Sequence, residues 1–206
     1  MMVGVDVLEL FSVATRDWFT GAFVAPTPAQ EGAWRAAAAG EHALVVAPTG
    51  SGKTLAAFLW ALDQLAVARP PDEPTRRCRV LYISPLKALA VDVERNLRSP
   101  LAGIRQAAHR LRLPEPDIRV GMRTGDTPAE QRRAFARTPT DVLVITPESL
   151  FLLLTSAARE SLRGIHTVIV DEVHAVAATK RGAHPHPDVR LWQAQPVCGL
   201  PDAGQR

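Results

Sequence analysis

Three local signals follow one another between Ala43 and Leu65, and their order leaves few folds open. An apolar run, Ala43 to Ala47, reads as a buried strand. A glycine-containing turn follows it, and Leu55, Phe58, Leu59, Leu62 and Leu65 then recur at helical spacing. Four further short β-favouring segments repeat the theme: Arg79 to Ser84 (RVLYIS), Ile118 to Met122, Asp141 to Ile145 (DVLVI) and Thr167 to Val170 (TVIV). Helical patterns separate them. Val7 to Phe19 carries Leu8, Phe11, Ala14 and Trp18 and can end at Thr20-Gly21, and Ala29 to Ala39 can end at Gly40. A helix from Lys87 to about Arg98 shows Leu89, Val93 and Leu97 on one face, and Ser99 to Glu115 reads as looser chain. A polar helix spans about Ala129 to Arg137, and an apolar one follows through Leu150 to Leu154. Strands alternating with helices imply a parallel α/β sheet with helices on both faces. Ligands of such sheets gather beyond the carboxyl ends of the strands.

The turn after the first strand reads Ala47-Pro48-Thr49-Gly50-Ser51-Gly52-Lys53-Thr54, a phosphate-loop pattern with Ala47 where the general form begins with Gly. Gly50 and Gly52 permit backbone angles that turn successive amides toward one anion. The helix that follows adds its N-terminal dipole. Thr49 to Thr54 are therefore the candidate nucleotide-binding residues, with Lys53 reaching the β- and γ-phosphates and the Thr54 hydroxyl available to Mg²⁺. A glycine-rich turn that binds nothing is the alternative. Upstream, Gln30 lies in the first turn of a helix, where its amide either caps that helix or pairs with the N6 and N7 edge of adenine.

The last strand delivers Asp171-Glu172-Val173-His174 to the same edge. An Asp directly after β-favouring apolar residues is placed to hold magnesium opposite the phosphate loop, and Glu172, aimed differently by the pleat, can orient or deprotonate an attacking water. Lys53, Asp171 and Glu172 are thus the catalytic candidates, and Thr54 and Asp171 the metal candidates. The alternative is two acids that simply end a strand.

The length of 206 residues suits one α/β domain, and the net charge of +3 is that of an ordinary solvated surface. Cys78 and Cys198 stand alone, which fits a reducing compartment. The N-terminus lacks the basic region of a secretory signal, and no run approaches 18 apolar residues, so a cytoplasmic protein without membrane contact is expected.

Taken together, PTPAQEGAW, APTGSGKTLAAFL, SPLKALAVDVERNL, RTGDT, TPESLFLLLT and DEVHAVAATKRGAH resemble the ordered motifs of superfamily 2 helicases, and within them those of the large helicase-related (Lhr) family, from about Phe19 to His184. The resemblance implies a P-loop, RecA-like lobe, the first of two in an ATP- and Mg²⁺-dependent translocase on DNA or RNA–DNA hybrids with a setting in DNA repair. It also implies nucleic-acid contacts at Ser84, Pro85 and Lys87, at Thr124, Gly125 and Asp126, and at Thr146, Pro147 and Glu148. Hydroxyls, helix-starting amides and one Lys at those points can grip phosphate oxygens without reading bases. His174 would couple nucleotide state to the rest of the motor.

The resemblance fails after His184, where PHPDVRLWQAQPVCGLPDAGQR carries Pro185, Pro187, Pro196 and Pro201. We expect a helical lead-in over 1–22, an incomplete single motor lobe over 23–184, and an irregular tail over 185–206 with an unpaired sheet edge left behind. The second lobe would be missing from this chain. Such a fragment should bind Mg²⁺-ATP weakly, turn over little and not unwind. A transport or assembly ATPase, or a remnant without activity that binds nucleic acid or a partner, are the other readings.

Overall fold

The computed structural model describes residues 6–48, 51–85, 87–173 and 190–195. Along the chain these form α1 (Val13–Ala22), α2 (Pro28–Ala38), β1 (Ala43–Val46), α3 (Lys53–Val67), β2 (Val80–Ile83), α4 (Lys87–Arg110), β3 (Val120–Arg123), α5 (Ala129–Arg137), β4 (Val142–Ile145), α6 (Pro147–Leu154), β5 (Thr167–Asp171) and β6 (Arg190–Gln195). The strands lie in the order β1-β6-β5-β2-β4-β3, and every pairing is parallel. All their carboxyl ends therefore share one edge. No helix among the described residues is long and apolar enough to cross a membrane.

The pleat divides the core into two layers. Val80 and Tyr82, Val142 and Val144, and Ile169 join Val45 on the face covered by α1 to α4. Leu81, Leu143, Ile145 and Val168 face the other way, toward Leu153 of α6 and the turns around Ala158 and Leu162. All four residues of β4 are buried, which explains why its sequence is apolar throughout instead of alternating. On the first face Trp34, fully buried, donates its indole N–H to the Ala56 carbonyl at 2.9 Å and meets Phe11 and Phe19 edge-to-face at 4.8 and 5.5 Å. That contact fixes α2 against α3 and sets the position of the loop between β1 and α3.

At the opposite, amino-terminal edge of the sheet, Asp141 has no exposure and accepts from Arg77 Nε at 3.0 Å, Arg79 Nη2 at 2.8 Å and the Arg119 N–H at 3.0 Å. It ties the starts of β2, β3 and β4 together through one carboxylate.

Three expectations are corrected. The first helix is split: Val7–Leu10 is a 3₁₀ turn and α1 begins afresh at Val13, because the Ser12 hydroxyl caps it by accepting from Thr15 N–H while the Ser12 N–H donates to Asp63. The looser chain expected after Arg98 is instead helical as far as Arg110, with Pro100 inside α4. An internal Pro costs about 3 kcal/mol. The apolar stripe Val93, Leu97, Leu101, Ile104 and Ala108 continues across it, all buried, and at about 1.5–3 kcal/mol for each large side chain that burial outweighs the proline.

The third correction concerns the tail. Its proline-free segment, Arg190–Gln195, is a strand paired with β1 on one side and β5 on the other. The sheet thus extends past residue 184, and the edges belong to β1 and β3. Prolines at 187 and 196 bracket this strand without interrupting it, and two otherwise unpaired parallel edges supply partners on both sides. The rest of 185–206 lies outside the described residues.

Candidate nucleotide site and the carboxyl edge

The loop region is assembled by bonds between elements far apart in sequence. Thr27 and Gln30 form a reciprocal cap at the start of α2: the Thr27 hydroxyl accepts the Gln30 N–H at 3.3 Å, and Gln30 Oε1 accepts the Thr27 N–H at 2.9 Å. The same two side chains reach the phosphate loop. Thr27 Oγ1 donates to the Ser51 carbonyl at 3.2 Å and Gln30 Nε2 to the Gly52 carbonyl at 3.4 Å. Gln30 is therefore a helix cap whose amide also forms a wall of the loop cavity.

Gly52 opens α3 with φ +79°, a left-handed angle that L residues resist, and a Cβ there would stand 2.5 Å from Gln30 Nε2. Gly52→Ala should lower the unfolding free energy by about 1–2 kcal/mol, read from urea denaturation. The Lys53 ammonium donates to the carbonyls of Ala47 and Pro48, the latter at 3.0 Å. Ser51 Oγ is buried with no hydrogen-bond partner among the described residues. Thr49 and Gly50 lie outside the described residues, as does His174.

Across the sheet, Asp171 ends β5 and Glu172 leaves it at φ +47°. The Glu172 N–H donates to Asp171 Oδ1 at 3.0 Å, and the Tyr82 hydroxyl donates to Asp171 Oδ2 at 2.6 Å. Sequence reasoning missed Tyr82, taking it only as one residue of a buried strand. Its register opposite Ile169, two residues before Asp171, could have signalled it once β2 and β5 were known to pair. Tyr82 stacks on Phe58 of α3 with ring centroids 4.6 Å apart, so one side chain links the phosphate-loop helix to the acidic strand end. Burial, with the Asp171 charge beside it, pushes the phenol pKa up, so Tyr82 remains a proton donor. Tyr82→Phe keeps the stacking and removes the donor. Its expected cost is about 1.5–3 kcal/mol of unfolding free energy by urea titration, the worth of one hydrogen bond to a carboxylate.

Lys53 and Asp171 were expected at the exits of neighbouring strands. In the structure β6 separates β1 from β5, which puts the two exits roughly 10 Å apart at about 4.8 Å per strand. They nevertheless line one cavity of about 720 Å³, together with Gln30, Ser51, Thr54 and Glu172.

The other clusters sit on the other half of the same edge, at the exits of β2, β4 and β3. Ser84 and Thr146 are buried, and the Ser84 N–H donates to the Ile145 carbonyl at 3.0 Å. The Thr146 hydroxyl meets Ser149 Oγ at 3.0 Å, and the Thr124 N–H donates to Thr127 Oγ1 at 2.8 Å. Pro147 opens α6, Lys87 opens α4, Pro85 is half-buried, and Gly125, Asp126 and Glu148 are exposed.

The chain that carries this loop and these hydroxyl-bearing turns is matched by a protein-family model over most of its length. The DEAD/DEAH box helicase model aligns with residues 27–191. The chain belongs to the DEAD/DEAH box helicase family. Its relatives narrow this to the ATP-binding domain of an Lhr-type helicase. It is 67% identical over 181 residues to the Lhr helicase/probable uracil glycosylase of Mycolicibacterium smegmatis, covering 88% of this chain and 12% of that protein. It is 42% identical over 180 residues to the ATP-dependent helicase Lhr-Core protein 2 of Thermococcus barophilus, covering 87% of this chain and 21% of the relative. Among solved structures, Mycobacterium smegmatis Lhr bound to ssDNA and AMP-PNP superposes with TM-score 0.85 at 58% identity over 93% of this chain and 25% of that one. The DEAD-box helicase Mss116 bound to ssRNA and UDP-BeF superposes with TM-score 0.71 at 15% identity over 90% of this chain and 38% of that one, a likeness of fold alone. The DEAD/DEAH box domain described here thus spans only a minor share of the length of each of these relatives.

Proposed function

We propose that this domain binds Mg²⁺-ATP in the cavity between α3 and β5 and lays a nucleic-acid strand across the exits of β2, β4 and β3, as the first motor lobe of a longer helicase. The observation that carries the reading is the convergence of Lys53, Thr54, Asp171 and Glu172, from strand exits on either side of β6, on one cavity with Gln30. The donor set fits the ligand. Among the described residues Ser51 Oγ is a buried hydroxyl without a partner, Lys53 bonds only the loop carbonyls of Ala47 and Pro48, and Asp171 presents a carboxylate to the same cavity. Thr54 and Asp171 would hold the metal, which neutralises charge on the transferring phosphate when bound. Lys53 binds the phosphate oxygens, Gln30 orients the base, and Glu172 holds the attacking water and takes its proton.

The strand half of the edge offers hydroxyls and helix-starting amides, which position a backbone without reading its sequence. DNA or an RNA–DNA hybrid is the expected track, and His174 the residue that couples the two halves. DNA repair is the expected setting, supported by the words 'probable uracil glycosylase' beside the helicase in the name of the Mycolicibacterium relative, and the cytoplasm is the expected compartment. Because a second lobe's arginine is worth roughly 10³–10⁵ in rate, this domain alone should bind nucleotide but turn over little. Titration with a fluorescent ATP analogue, with and without Mg²⁺, tests the site. Saturable binding that requires Mg²⁺ is expected, and its absence removes the reading.

A further inference from the structure

A second cavity, about 370 Å³, opens between the edge strand β3 and α5. Val120 and Met122 pack into the layer under α1 to α4, so by the pleat Gly121 and Arg123 face the opposite side, toward α5. Arg123, Thr127, Gln131, Arg132 and Arg137 line this space. Arg123 is 8% exposed, and its guanidinium has no hydrogen bond or ion pair with any described residue. Burial pushes its pKa down, and the Arg132 charge adds to the effect. A cation with this little exposure, beside a second cation and with no acid paired to it among the described residues, is a costly arrangement. The contrast lies within the same sheet, where the buried Arg79 is paired with Asp141 at 2.8 Å.

The position of Arg123 says what would balance it. It is the last residue of β3, on the carboxyl edge, and its carbonyl accepts the Thr146 N–H at 3.4 Å. Thr124 follows directly, so the backbone of Arg123 joins the two turns assigned above to the nucleic-acid strand while its side chain lines the cavity beside them. The Thr127 hydroxyl accepts from the Thr124 N–H at 2.8 Å and keeps its own proton to donate. We infer that Arg123, with Arg132 and the Thr127 hydroxyl, forms an anion seat that takes a phosphodiester group of the bound strand. The planar guanidinium suits two oxygens of one phosphate, which no single Lys can match. The seat adds to the Thr124 and Thr146 turns a charge that they lack, and the inference rests on the reading of that edge as the track.

The test is fluorescence anisotropy of a labelled oligo(dT) titrated with the whole chain and with its Arg123→Gln variant between 50 and 200 mM salt. Thermal melts of both proteins are run with and without inorganic phosphate. Arg123→Gln should weaken oligonucleotide binding roughly tenfold and lower the slope of log affinity against log salt by about 0.7, the release of one phosphate's counterion on a single strand. Its melting midpoint should be equal to or above that of the unsubstituted protein, because no internal partner is lost. An unchanged slope overturns the inference, and so does a lowered midpoint with unchanged binding, which would make Arg123 a packing residue. If inorganic phosphate raises the midpoint through Arg123 while oligonucleotide binding ignores the substitution, the seat takes a free anion and the assignment to the strand is wrong. If the unsubstituted chain binds no oligonucleotide at all, the track itself fails, and this inference with it.

Discussion

Asp141→Ala should lower the unfolding free energy by about 3–5 kcal/mol, the largest single loss we expect from any charged residue in the chain. The carboxylate is fully buried and accepts three bonds, from Arg77, Arg79 and the backbone of Arg119. Removing it leaves Arg79, 8% exposed, with only a long contact of 3.4 Å to the Arg69 carbonyl. Arg77 retains Asp117 at 2.7 Å, but Asp117 is exposed and so screened. The cost is therefore mainly that of Arg79, a desolvated cation without a counter-charge. Urea denaturation followed by circular dichroism measures it, and a loss below about 1 kcal/mol would mean that water reaches the guanidinium and takes the place of Asp141. Asp141→Asn separates charge from shape: it keeps an acceptor for the Arg119 N–H and should recover only part of the loss.

Lys53→Ala should reduce affinity for Mg²⁺-ATP by roughly 10- to 150-fold, one charge-assisted hydrogen bond of about 1.5–3 kcal/mol. The folded protein should not weaken alongside. Among the described residues the ammonium bonds only the carbonyls of Ala47 and Pro48, which belong to the same loop, so few long-range contacts depend on it. Loss of nucleotide affinity at constant melting midpoint is the signature of a binding residue. Titration of a fluorescent ATP analogue against the two proteins reads the affinity, and an unchanged affinity would place the triphosphate somewhere other than this loop. Strong nucleic-acid-stimulated hydrolysis by the unsubstituted chain would overturn the expectation of little turnover.

The candidate site was legible in sequence to the extent that its chemistry is local. The phosphate loop announces itself because its glycines, Lys53 and Thr54 must be consecutive to surround one anion, and Asp171 because a strand must deliver it. Gln30 was legible for a similar reason, since Thr27 and Gln30 are three residues apart in a helix start. Tyr82 was not legible. Its partner Asp171 is 89 positions away, and only the pairing of β2 with β5 brings them to 2.6 Å. Arg123 stands in the RTGDT motif, but only the pleat of β3 shows that its side chain turns under α5.

By itself, then, the sequence determined the strands and helices whose apolar periods are strong, the candidate phosphate loop, and the family whose motifs it carries in order. The tertiary structure decided the rest. It kept α4 helical through Pro100 because the buried stripe on both sides outweighs one broken turn. It placed Arg190–Gln195 between β1 and β5, where a weakly patterned segment becomes a strand because two waiting edges satisfy its backbone. Both outcomes depend on partners distant along the chain, and local residue preference carries no information about partners that only folding brings near.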